Sequence, residues 1–129
     1  MRNTTSSRDT SALAHELSRE NDPNNPVVQE LRRQAANAFV LYANYKHYHW
    51  QTFGPLFRDM HKLFDEFAEE VLATIDELAE RVRMIGQDPP GHLLDAANLA
   101  SVSPAAAQAN MREMVEEADR QLLIVISEL

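Results

Sequence analysis

Apolar residues recur every three or four positions along most of this chain. After Asn25-Pro26, a capping side chain followed by proline at a first helical position, Val28, Leu31, Ala35, Ala38, Phe39, Tyr42 and Tyr45 share one helical face up to about Phe53. Gly54-Pro55 ends that helix and opens the next. Met60, Phe64, Phe67, Val71, Ile75, Leu78, Val82 and Ile85 then step by threes and fours, which predicts a long helix from about Leu56 to Ile85. Gly86 supplies a C-cap, and Asp88-Pro89-Pro90-Gly91 forbids continuation. A short amphipathic piece, HLLDAANLA, follows. Ser103-Pro104 is expected to cap a third long helix running through Met111, Met114, Val115, Ala118, Leu122 and Ile126.

No segment has the alternation of a strand, and there is no internal repeat, so the expected class is all-α. Residues 1–22 are polar and aperiodic and read as a mobile tail, with SALAHELSRE able to form a short helical turn. Residues 23–129 read as one helical domain. The third helix is still periodic at Leu129, and three long amphipathic helices leave an apolar groove where a fourth normally closes a bundle. The expectation is a domain incomplete at its C-terminal end, its groove filled by further polypeptide or by a partner chain.

Composition narrows the function classes. The length, 129 residues, suits a single core. No run reaches the roughly 18 to 20 apolar residues that span a bilayer, and the N-terminus has no apolar signal region. Cysteine is absent, which excludes thiolate ligands and disulfides and suits a reducing, cytoplasmic setting. A net charge of −8 argues against a broad nucleic-acid surface and favours cations. The tail follows the same balance, with Arg2, Arg8 and Arg19 against Asp9, Glu16, Glu20 and Asp22, so DNA binding by it is not expected.

The candidate chemistry sits around the Gly-Pro turn, in HYHWQTFGPLFRDMHKLFD. On a wheel with His61 at zero, Asp65 lies at about 40°, Asp76 at about 60° and Glu80 at about 100°, all on one stripe. Asp65 and Asp76 are nevertheless about 16 Å apart along the axis, too far to share an ion ligated at about 2.0 to 2.3 Å. One chain therefore holds two half-sites. An antiparallel dyad near residues 69–72, with Leu72 at the crossing, would bring His61 and Asp65 of one copy to Asp76 and Glu80 of the other. His49 lies six residues before Pro55 and His61 six after it, so the hairpin adds His49 at the same level. Imidazole with carboxylate suits iron, and also zinc or manganese. The E-x-x-H pattern of di-iron sites inside a single bundle is absent. His47, about 200° from His49, falls outside this set. The bland alternative is histidines satisfied within a hairpin and carboxylates that merely solvate a helix.

The residues that decide between these are His49-Trp50, then His61 with Asp65, then Asp76 with Glu80. In that spacing the chain resembles the Dps family of dodecameric mini-ferritins, and NYKHYHWQTFGPLFRDMHKLFDEF with IDELAER is most similar to cyanobacterial members. The resemblance covers about residues 27–129. It implies a ferritin-like four-helix subunit with a short helix in the connection between its second and third helices, the last helix lying beyond Leu129. It also implies a homo-oligomeric shell that oxidises Fe(II) with hydrogen peroxide or O2 at intersubunit di-iron centres and stores ferric mineral. His49, His61, Asp65, Asp76 and Glu80 would be both metal ligands and catalytic residues, and zinc is a possible occupant. Trp50 would be an accessory electron donor or hairpin packing, and Glu66, Glu69 and Glu70 would nucleate mineral. Two other functions fit the residues less fully: a DNA-protecting nucleoid protein with secondary metal binding, and a helical dimer stapled by zinc.

Overall fold

A computed structural model describes residues 22, 24–106 and 110–129. Four helices, and no strand, are present among them: α1 (Pro26–Gln51), α2 (Phe57–Met84), α3 (Leu93–Leu99) and α4 (Met111–Ser127). The polar tail, apart from Asp22, lies outside the described residues.

Asn25 starts α1 as expected, its side chain accepting the Val27 N–H at 2.9 Å. The helix stops at Gln51, just short of Phe53, because Thr52 turns extended and its hydroxyl donates back to the His49 carbonyl at 2.9 Å. Gly54 then takes φ +87°, a left-handed conformation open to glycine at little cost. At the far end of α2, Gly86 has φ +94°. Its N–H reaches the Arg83 carbonyl while that of Gln87 reaches Val82, the paired bonds of a Schellman cap.

One expected boundary is wrong. Ser103-Pro104 does not begin a helix; α4 starts at Met111, where Asn110 accepts the Glu113 N–H at 3.0 Å. The cause is a tertiary contact. The buried Asn44 amide on α1 donates to the Ser103 carbonyl at 3.0 Å and accepts the Ala105 N–H at 2.7 Å. Those two backbone groups are thereby withheld from a helical ladder. Asn37, one heptad earlier, accepts the Ser101 N–H at 2.7 Å, so two asparagines hold this connection along α1.

α1 is the centre of the molecule, and α2, α3 and α4 each pack against it. The core joins Val40, Leu41, Tyr45 and Tyr48 of α1 to Phe64 and Ala68 of α2, Val102 of the connection and Met114 of α4. Full burial of side chains the size of Phe64 or Met114 contributes about 1.5–3 kcal/mol each. Tyr48 also donates its hydroxyl to the buried Glu117 of α4. Between α2 and α4 an apolar groove of about 580 Å³ remains, lined by Leu31, Ala38 and Leu41 as its floor and Val71, Leu78 and Val125 as walls. No described helix is long and apolar enough to cross a membrane.

Candidate metal centre

The α1–α2 hairpin stacks His49 on His61, ring centroids 3.7 Å apart and planes 19° from parallel. The two imidazoles hold one another through backbone. His49 Nδ1 lies 2.5 Å from the His61 carbonyl, and His61 Nδ1 lies 2.7 Å from the His49 carbonyl. A carbonyl only accepts, so each Nδ1 must carry the proton and donate. In the neutral ring, Nε2 is then the nitrogen that keeps the lone pair. Orientation of a ligating histidine through its second nitrogen is the arrangement metal sites use. Thr52 strengthens the clamp, its hydroxyl oxygen 3.1 Å from His61 Nδ1. Phe57 closes the stack on the other face of His61, centroids 4.9 Å apart.

Asp65 sits one turn after His61, on the same helix. Its Oδ1 is 2.7 Å from Lys46 Nζ. The hydrogen bond from that ammonium, reinforced by its charge, holds the Asp65 carboxyl below the usual carboxylate range. Lys46 thus keeps Asp65 ionised and occupies its Oδ1. Sequence reasoning missed Lys46 and Thr52. Both were findable, since Lys46, His49 and Thr52 step by threes and so share the α1 face that the hairpin turns toward His61 and Asp65.

Asp76 and Glu80 are exposed, far along α2 from this cluster. Among the described residues no three His, Asp or Glu side chains converge as a cation cage. A single chain therefore brings together the two imidazoles and places Asp65 beside them, but not the second pair of carboxylates. Leu72, between the halves, is 48% exposed. Trp50 is 69% exposed beside His49, and His47 meets the edge of Tyr48 instead of joining the imidazole pair. Glu66, Glu69 and Glu70 are all exposed.

The residue types suit iron. Two imidazole nitrogens and three carboxylates would make a mixed N/O donor set, of the kind that accepts both Fe(II) and Fe(III) and suits zinc as well.

Comparison with known proteins agrees with the fold. The ferritin-like domain family matches residues 28–129. A DNA protection during starvation protein of Brevibacillus brevis is 36% identical over 103 residues, 80% of this chain and 69% of that one. DNA protection during starvation protein 1 of Deinococcus radiodurans is 34% identical over 103 residues, 80% of this chain, which spans only 47% of its length. The structure of Dps from Thermosynechococcus elongatus superposes with a TM-score of 0.78 at 44% identity, covering 84% of this chain and 69% of that one. The helix order, the absence of strands among the described residues and these similarities lead to one conclusion: the chain belongs to the Dps branch of the ferritin-like proteins.

Proposed function

We propose that this chain is an iron-detoxifying mini-ferritin whose ferroxidase centre is shared between two copies. The observation that carries the reading is the reciprocal Nδ1-to-carbonyl clamp, which leaves two imidazole lone pairs side by side. A histidine pair serving only to close a hairpin would have no need of both free nitrogens. His49, His61 and Asp65 of one protomer bind the first Fe(II). Asp76 and Glu80 of its partner complete that site and bridge toward a second, more weakly held iron. Two Fe(II) ions each give one electron to a peroxide molecule, whose O–O bond breaks; two protons convert its oxygens into two waters. Carboxylates favour the products because their charge stabilises Fe(III) over Fe(II). The ferric product passes into a homo-oligomeric shell, with Glu66, Glu69 and Glu70 as nucleation sites, and both reagents of hydroxyl-radical chemistry are consumed.

The starvation-protection names of the relatives fit this chemistry without a DNA contact, since a net charge of −8 opposes phosphate binding. A gel shift at moderate salt is expected to show free DNA.

The decisive experiment mixes two inactive proteins. One carries His49→Ala with His61→Ala, the other Asp76→Ala with Glu80→Ala. Each alone lacks every complete site. Random re-pairing makes half the dimers mixed, each with one intact site of two, so about a quarter of wild-type oxidation should return. No recovery from re-paired subunits would eliminate the shared site. Anaerobic Fe(II) should also quench the sole tryptophan, Trp50, in wild type and not in the double-histidine variant.

A further inference from the structure

Helix α2 runs from Phe57 to Met84, so its midpoint falls between Glu70 and Val71. The proposed dyad has the same centre, since it pairs His61 with Glu80 and Asp65 with Asp76, each pair symmetric about that point. The ligands form two rows along α2, each advancing by four residues. Rows of this kind from two helices lie alongside one another when the helices pack. One further step of four outward from His61 is Phe57, and one outward from Glu80 is Met84. The outermost pair is therefore apolar, yet within one chain Phe57 is 45% exposed and Met84 74%. Phe57 already covers one face of His61, with ring centroids 4.9 Å apart and planes 21° from parallel. At the other end of α2, Met84 borders a cavity of about 330 Å³ with Val27, Arg81 and Ile85. The two ends cannot meet within one chain, because a straight helix of 28 residues holds them about 40 Å apart.

We propose that Phe57 of one protomer and the partner's Met84 form an apolar cap over the outer end of each shared metal site. The proposal rests on the ferroxidase reading above, and the occupant of both helix ends is a second copy of this chain. The register selects that occupant. The symmetry that delivers the partner's Glu80 to His61 delivers the partner's Met84 to Phe57, one turn further out. Side-chain chemistry suits the contact, since a flexible thioether fills irregular gaps and packs favourably against an aromatic edge. Phe57 is then held between His61 and the partner's Met84, and two exposed apolar ends are buried at each site. The cap donates nothing to the ion. It keeps bulk water from the ligand cluster, which strengthens their electrostatic hold on a cation and slows its release.

The chain has no cysteine, so a thiol introduced at either end of α2 is unique. Protein carrying Phe57→Cys is re-paired with protein carrying Met84→Cys and treated with a short bis-maleimide. A covalent dimer on a denaturing gel is expected from the mixture. Neither variant alone should give one, because the dyad separates two copies of the same helix end by about 40 Å. The second arm follows chelator-driven zinc release from the whole protein. Met84→Ser should release zinc about tenfold faster than wild type, with circular dichroism and sedimentation unchanged, and Met84→Leu should restore the slow rate. A sedimenting dimer that yields no mixed cross-link overturns the cap and leaves the shared site standing. Zinc release from Met84→Ser at the wild-type rate also overturns the cap. Wild type that sediments only as a monomer overturns the shared ferroxidase centre, and the cap with it.

Discussion

In the proposed centre, Lys46 and Thr52 would set the state of the ligands without being ligands themselves. Replacing Thr52 by valine keeps its shape and removes the hydroxyl that steadies both the His49 carbonyl and His61 Nδ1. Partners of this kind are typically worth about 10–100-fold in metal affinity, so zinc titration of Thr52→Val should show a loss in that range with helix content unchanged. Lys46→Met should act in the opposite direction at neutral pH. It frees Asp65 Oδ1, and calorimetry should record tighter zinc binding than in wild type. The same pair gives a pH signature. The depressed Asp65 carboxyl contributes stability that is present above the ordinary aspartate pKa of about 3.9 and is lost as pH falls through its lower folded value. Lys46 is raised by its hydrogen bond to Asp65, so its contribution is present below about 10.4 and is lost as pH rises through its higher folded value. Acid and alkaline unfolding of Lys46→Met should lack both contributions; curves that overlay wild type at each extreme would refute the pairing.

At the scale of elements, α1 is decisive because it organises the other three helices. Asn44→Leu leaves the Ser103 carbonyl and the Ala105 N–H without their partner. Ser103 is exposed and Ala105 half-buried, so water can reach both groups, and urea unfolding should register the net worth of two hydrogen bonds, about 1–3 kcal/mol. Gly54 tests the turn that brings the imidazoles together. A Cβ there would meet nothing within 4 Å, so any cost of Gly54→Ala comes from its positive φ alone, about 1–2 kcal/mol. The helix stripes of α1 and α2, the Asn25 cap and the Gly86 stop were legible in the sequence because each rests on neighbouring residues. The start of α4 was not. Ser103-Pro104 has the local chemistry of a cap, and what defeats it is an amide from α1, 59 residues away in sequence.

For the whole molecule, the separation of Asp65 from Asp76 makes the proposed chemistry a property of pairs of chains. Leu72→Arg would place a charge where the proposed dyad crosses α2. Sedimentation should find the variant shifted toward monomer, and its peroxide-driven iron oxidation should fall with the dimer fraction. Oxidation at the wild-type rate by a monomer would remove the shared site.

The sequence by itself determined the helical class, the two long amphipathic helices and the candidate ligand set, because periodicity and spacing are properties of a chain read residue by residue. The separation of Asp65 from Asp76 along α2 likewise followed from the rise of a helix. Tertiary structure alone decided the reciprocal clamp of His49 and His61, the Lys46 hold on Asp65 and the Tyr48–Glu117 bond. Each depends on two atoms from different helices meeting within hydrogen-bond distance, and no periodicity within one helix contains that distance.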